Sequence, residues 1–444
     1  MDLNNIKRNQ LDYILTDMLP TELSERFTFF YFYEFLMTKR KELKQMNNFL
    51  ISVKNKYKTG VMFEGGGSGD GGHKGNNWVT MPLKYSIMKE LHTEREISLL
   101  QPIAAVELFA FVSTYQKELI NLLDMNSIFS LRHHHKNNEL CYKNKNKSIT
   151  KYFAVESAQI DKDLIEKTGM FFDIKPYKSI ASFTSSEEWL VLNSKYRYFI
   201  RTDYKACFDS IYTHTFKWLI GKDVNDTKDF KNTNIYTTID RILQNINART
   251  SNGIVVGPEF SRMIAEILLQ AIDRTVYSKL LNSGKAVGEN YNVYRFVDDI
   301  FIFAESEELA NEIVQIYSEI SAKYLLRLNE GKLYKNTVPF VLDEWINETS
   351  IFANRTSACL FRTKEEQEIW LQKEKQNSQE KEVVPHILKS RALYYSKRSI
   401  MNQLNELICE YPSKDRTIVA YFLGTILNKV SRNKENVKIF SEHE

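Results

Sequence analysis

Three aspartates, Asp203, Asp298 and Asp299, are the residues of this sequence whose types and spacing point most directly to chemistry. Asp203 closes the strand-like run that begins at Tyr196. Asp298 and Asp299 are adjacent, with apolar residues on both sides from Tyr294 to Phe303. Neighbouring carboxylates repel, and one pKa is pushed upward unless a cation neutralises the pair. A hard divalent cation such as Mg²⁺ takes oxygen ligands and keeps several waters, so two or three carboxylates on different strands are enough to hold it. An Asp-Asp turn by itself is equally an ordinary acidic hairpin. The third carboxylate, at the end of another apolar strand, changes that reading: it suits a pair of cations about 4 Å apart, as in in-line displacement at phosphorus.

The elements that must carry these residues follow from periodicity. Tyr196–Asp203 reads as a strand, and Tyr294–Phe303 as a hairpin with the acidic pair at its turn. Between them Met263, Ile264, Ile267, Leu268, Ala271 and Ile272 recur at helical spacing, predicting a long helix over Pro258–Leu281. Pro258 and Glu259 suit its first turn, where a missing N–H costs nothing and a carboxylate meets the positive dipole end. After the hairpin, Ser306 is an N-cap for a helix bearing Leu309, Ile313, Val314, Tyr317, Ile320 and Tyr324 on one face. A further helix is expected near Pro102–Leu123, and an amphipathic one over Tyr411–Val430. The fold class expected is α+β, an antiparallel sheet with helices packed on one face.

The segments around the aspartates resemble a known family. Asp203-Tyr-Lys-Ala-Cys-Phe-Asp-Ser-Ile211 is similar to the first palm motif of bacterial reverse transcriptases, and Gly253-Ile-Val-Val-Gly-Pro-Glu-Phe-Ser261 to their second. Phe296-Val-Asp-Asp299 resembles the third and Leu328-Asn-Glu-Gly-Lys332 the fourth. Four motifs in the right order are far more specific than any one. The resemblance implies a right-hand polymerase palm and fingers with Asp203 and Asp298 as metal ligands, Asp299 as the accompanying acid and the Tyr204 carbonyl as a further ligand. It implies two Mg²⁺ ions, with Mn²⁺ as a substitute, and dNTPs as substrates. Phe208 would exclude a 2′-hydroxyl, Gly257 would let the backbone approach the nucleotide, and Lys332 would protonate the pyrophosphate leaving group. Arg95 and Arg132 resemble finger arginines whose planar fork suits phosphate oxygens; each is equally read as a structural ion-pair residue. Val256, where many members have Gln, and Phe296, where most have Tyr, are departures that bear on nucleotide preference and fidelity.

On this resemblance the chain divides into a helical N-terminal extension with a Gly-rich linker (1–80), fingers (81–195), palm (196–345) and an α-helical, thumb-like region (346–444). The linker assignment rests on GGGSGDGGHKG, which holds seven of the sixteen glycines and lacks the order of a phosphate-cradling loop, since Lys74 is followed by Gly75. The Arg95-Glu-Ile-Ser-Leu-Leu-Gln-Pro102 and Phe129-Ser-Leu-Arg132 stretches, and the helical C-terminus, look like the defence-associated and abortive-infection reverse transcriptases. That similarity implies antiviral action and DNA synthesis that is templated, untemplated or protein-primed, with an RNA template or non-coding RNA, a DNA product, and a partner protein or homo-oligomer. Two rival readings stand beside it: an RNA-dependent RNA polymerase on a similar palm, and a non-catalytic RNA-binding or assembly module.

Bulk properties bound the rest. With 444 residues and 43% hydrophobic content the chain can build substantial cores. No apolar run reaches the roughly 18 residues of a membrane span, and the N-terminus lacks a signal-peptide pattern, so no membrane partner and a cytoplasmic location are expected. Four widely separated cysteines argue against a disulfide framework or zinc cluster. Net charge is only +4, with lysines gathered at Lys39-Arg40-Lys41, Lys54/Lys56/Lys58 and Lys143/Lys145/Lys147/Lys151; solvated faces account for these as well as a nucleic-acid backbone does. The run His133-His134-His135, with no acid at ligand spacing, reads as a polar loop rather than a metal site.

Overall fold

The computed structural model describes residues 13–20, 29–38, 79–90, 93–124, 127–136, 171–221, 234–340, 342, 344–377 and 392–430. The Gly-rich linker, the three lysine clusters and Cys141 lie outside the described residues. The described residues group into two compact units, one within Met1–Ser86 and Glu96–Phe340, the other within Ile87–Arg95 and Val341–Glu444.

Eight strands are described: β1 (Leu83–Glu90), β2 (Thr93–Leu99), β3 (Arg132–Lys136), β4 (Phe172–Pro176), β5 (Tyr198–Asp203), β6 (Tyr291–Phe296), β7 (Asp299–Ala304) and β8 (Tyr334–Thr337). They form a β1–β2 pair, a β3–β4 pair and a four-stranded sheet in the order β6-β7-β5-β8. Every pairing in the four-stranded sheet is antiparallel. Side chains alternate between faces. Ile200, Ile300 and Ile302 enter the main core together with the helices Glu259–Asn282 and Glu307–Lys323. On the other face Phe199, Phe301 and Phe303 meet Trp189 of the helix Glu187–Lys195, and Phe340. The sheet is therefore covered on both sides, by helices on one and an aromatic cluster on the other.

The long helix expected between the first and third motifs spans Glu259–Asn282 and is buried along most of its length. Ser306 caps the next helix, its Oγ accepting from the Leu309 N–H at 3.2 Å. The helix Pro102–Asp124 lies where the sequence places one. The histidine run is corrected: Arg132–Lys136 is strand β3, paired in register with β4, not a polar loop. Alternation sends buried His134 to one face and half-buried His133 and His135 to the other.

In the second unit, the described elements after residue 343 are helices, Glu344–Leu360, Lys364–Asn377, Ala392–Glu410 and Asp415–Val430, with a short 3₁₀ turn at Pro412–Lys414. They close on Phe352, Leu360, Phe361, Leu407, Ile418, Phe422 and Ile426. The Phe352 and Phe422 rings stack at 4.7 Å. Among the described residues no helix is long and apolar enough to cross a membrane.

Candidate active site

The register of the sheet brings the three aspartates together. Asp203, the last residue of β5, sits opposite Asp299, the first of β7. Phe296 of β6 also pairs with Asp299, leaving Val297 and Asp298 as the two-residue turn of the hairpin. Such turns need positive φ, normally supplied by Gly or Asn. Here Val297 adopts φ 56°, which for a β-branched residue costs on the order of 1–3 kcal/mol and persists only where the surroundings enforce it. Arg295, fully buried, does so: its Nη1 donates to the Val297 carbonyl at 2.8 Å. The same guanidinium donates to Glu266 at 2.9 and 3.0 Å and to Asp273 at 2.7 and 2.9 Å. Ser130 completes Glu266 and Tyr317 completes Asp273. The acidic turn is thus fastened to the central helix by a buried, hydrogen-bonded charge cluster.

Negative charge accumulates at the turn. Burial, and then the charges of Asp299 and Asp203, push the Asp298 carboxyl up to about 6. Burial also raises Asp299, partly offset by Arg201, whose Nε and Nη2 donate to its Oδ1 at 3.1 and 3.0 Å. The Lys332 ammonium, in the 3₁₀ turn Glu330–Lys332, donates to Asp203 Oδ2 at 2.6 Å, and that bond raises the lysine above its ordinary value. Asp203 Oδ1 is buried with no hydrogen-bond partner. An orphaned carboxylate oxygen beside a carboxyl that burial and like charges push upward is an arrangement a cation would relieve, so the residues present fit a divalent metal. Asp203, Asp298 and Asp299 are the oxygen donors available to hold it.

The first motif packs against both the fourth and the second. Asn329 N donates to the Asp203 carbonyl, and Lys205 N to the Arg327 carbonyl, both at 2.8 Å, flanking the bridge between Tyr204 and Leu328. The buried Tyr204 hydroxyl meets Ser321 Oγ at 3.0 Å, which anchors the backbone that follows Asp203. Phe208 lies half-buried in the short helix Cys207–Ser210, and its carbonyl accepts from Ile254 N at 2.9 Å. Gly257 has φ 126°, and a Cβ there would lie 2.7 Å from Pro20 Cγ and 2.9 Å from Ile97 Cγ2. Its side-chain space is filled by the protein itself, a packing reason for glycine that the sequence does not reveal.

Arg132 differs from the expectation of a phosphate-binding residue. Its guanidinium is buried, paired with Glu259, and 5.3 Å above the Phe296 ring. The structure assigns it to an internal ion pair. Glu259 also faces His134 at 3.6 Å and Arg262 at 3.4 Å. Burial alone would raise its carboxyl, but Arg132, His134 and Arg262 outweigh that and hold it at about 2. Arg95 is exposed on β2. Two site residues escaped the sequence reading. Arg201 stands two positions before Asp203 on one strand, hence on the same face, a signal available from the period of two. Arg295 occupies an inward position of β6, where an arginine demands buried acids. Glu266 and Asp273, seven apart on the long helix, are those acids.

Residues 131–353 match the family described as "Reverse transcriptase (RNA-dependent DNA polymerase)". The match covers half of the chain and spans all four motifs, and the chain belongs to that family. No curated protein matches. Among solved structures, the chain is similar to a telomerase from Candida albicans in complex with a TWJ fragment of telomeric RNA, at 12% identity and a TM-score of 0.28, covering 59% of this chain and 52% of that one. It is also similar to apo telomerase from Candida tropicalis, at 15% identity, a TM-score of 0.34, and 66% and 50% coverage. A form of the latter truncated at its C-terminal domain gives 15% identity, a TM-score of 0.32, and 59% and 51% coverage. The chain spans about half the length of these telomerases.

Proposed function

We propose that this chain is an RNA-directed DNA polymerase that transfers nucleotidyl groups from dNTPs at Asp203, Asp298 and Asp299. The observation that carries the reading is the register of Asp203 against Asp299, with Asp298 in the adjoining turn and Lys332 on Asp203. Two Mg²⁺ ions held by these carboxylates would supply a nucleophilic primer oxygen and neutralise the triphosphate. The chain's own groups do the rest. Arg201 holds the Asp299 carboxylate in place, Arg295 fixes the turn, and the charged Lys332 is the proton donor for departing pyrophosphate. Phe208 sets the boundary against a 2′-hydroxyl, and Gly257 shapes the loop below the incoming nucleotide.

Antiviral defence is the setting that the Arg95–Pro102 and Phe129–Arg132 stretches support, through their resemblance to defence-associated members. Incubating the purified chain with Mg²⁺ and each dNTP, with and without added RNA, tests the function. Sequencing the product, and following its mobility after protease, separates templated, untemplated and protein-primed synthesis. Incorporation of ribonucleotides in preference to deoxyribonucleotides would replace this reading with an RNA polymerase, and no incorporation at all with a non-catalytic RNA-binding module.

A further inference from the structure

Outside the aspartate site, one group of side chains converges with the chemistry of a metal centre. His133 and His135 occupy the same face of β3, and Asp124 is the last residue of the helix Pro102–Asp124 that ends beside that strand. One ligand atom from each lies within 4.8 Å of the others. Asp124 Oδ2 is 3.3 Å from His135 Nδ1, and Oδ1 is 3.9 Å from His133 Nδ1. With metal–ligand bonds of about 2.0–2.1 Å, the ligand atoms of a tetrahedral zinc site stand roughly 3.3 Å apart. The Asp124–His135 separation already meets that value, and the others need only a small rotation of half-exposed side chains.

The hydrogen bonding agrees. His133 Nε2 lies 2.7 Å from the Ser130 carbonyl, which only accepts, so Nε2 is the donor there. That leaves Nδ1 as the ring atom facing Asp124, the arrangement in which a backbone carbonyl orients a metal-binding imidazole. The cross-strand partners of His133 and His135 are Lys175 and Asp173, which pair with each other at 2.8 Å. The negative end of the helix dipole adds to the attraction for a cation.

We infer that Asp124, His133 and His135 form a zinc site, separate from the aspartate site, that ties the end of the Pro102–Asp124 helix to β3. Two imidazoles and one carboxylate select a borderline ion over Mg²⁺, which prefers oxygen. Three protein ligands leave a coordination position for water, as their partial exposure allows.

Zinc binding to the full chain tests this, by titrating Zn²⁺ against a chromophoric chelator in excess Mg²⁺ to occupy the aspartates. Cys141→Ser, Cys359→Ser and Cys409→Ser serve as the background, with Cys207 buried, so that zinc on exposed thiols is not counted. One equivalent of Zn²⁺ should bind. Asp124→Asn and His135→Gln should each weaken it by more than about a hundredfold, exceeding the roughly 10–100-fold cost of losing an outer partner. Both substitutions preserve shape, and far-UV circular dichroism checks the fold. Co²⁺ substitution should give visible absorption bands that the same variants abolish. Zinc binding that is absent, or unchanged in both variants, would overturn the proposal and leave the cluster as ion pairs between Asp124 and two histidines.

Discussion

Arg295 Nη1 donates to the carbonyl of Val297 at 2.8 Å, joining a buried guanidinium to the strained residue that precedes the acidic pair. A valine with positive φ would relax if nothing restrained it, and Asp298 would move with it. The acidic turn therefore depends on charges that never touch solvent.

Arg295→Met should accordingly cost about 3–5 kcal/mol, because it leaves Glu266 and Asp273 buried without their cation. Urea denaturation measures it. The triple variant Arg295→Met, Glu266→Gln, Asp273→Asn removes the stranded charges and should recover part of that loss. A single variant as stable as the wild type would show that the cluster does not support the hairpin.

The Glu259 carboxyl gives a pH dependence of definite sign. It is held at about 2 in the folded chain, against an ordinary value of 4.5. A depressed folded pKa contributes stability that is present above about pH 4.5 and is lost as pH falls toward 2. A shift of this size corresponds to about 3 kcal/mol. Glu259→Gln should therefore be less stable than the wild type at pH 7, and the gap should close as the pH is lowered to about 2.5. A gap that stays constant across the range would show that the Arg132 pair is not what holds this carboxylate ionised.

Gly257→Ala combines two costs, a positive φ and a Cβ 2.7 Å from Pro20 Cγ. Together they should lower stability by about 1–3 kcal/mol. Adding Pro20→Gly should return part of that loss and leave the backbone component, a non-additivity that a double-mutant cycle reads from thermal unfolding. Strict additivity would mean that the two residues do not meet.

How much of this was legible beforehand depends on whether a signal is local. The hairpin, the long helix and the Ser306 cap are written in alternation, helical spacing and capping chemistry, and the sequence places them within a few residues. The grouping of Asp203 with Asp298 and Asp299 was suggested by a second strand ending in an aspartate and sharpened by the order of four motifs, whereas the Asp203–Asp299 register came from the structure. Arg132 stayed open between an ion pair and a phosphate contact, and the histidines were read as a loop, because local pattern does not show their partners. Glu259 lies 127 residues from Arg132, and Asp124 joins His133 and His135 only because a helix ends where β3 begins. Arg295 shows the same limit: an arginine between Tyr294 and Phe296 looks like an exposed strand residue until Glu266 and Asp273 are seen facing it.

Phe208 is the residue to change in testing sugar selection. Replacing it with Ala or Val should lower the preference for dNTPs over rNTPs by about 10–200-fold, the range available to a small steric change in a pocket. Single-nucleotide incorporation with each triphosphate measures the ratio. An unchanged ratio would mean that the Phe208 ring only packs against the core.

The central claim is that the three aspartates form a metal-dependent nucleotidyl-transfer site, and primer extension with Asp203→Asn and Asp298→Asn tests it most directly. Both substitutions keep the shape of the side chain while removing its charge. Each should lower dNTP incorporation by at least about a thousandfold, the consequence of losing several kcal/mol of cation-dependent transition-state stabilisation, while circular dichroism and thermal unfolding remain close to wild type. Incorporation within about tenfold of the wild type by either folded variant, where that loss is predicted, would contradict the account.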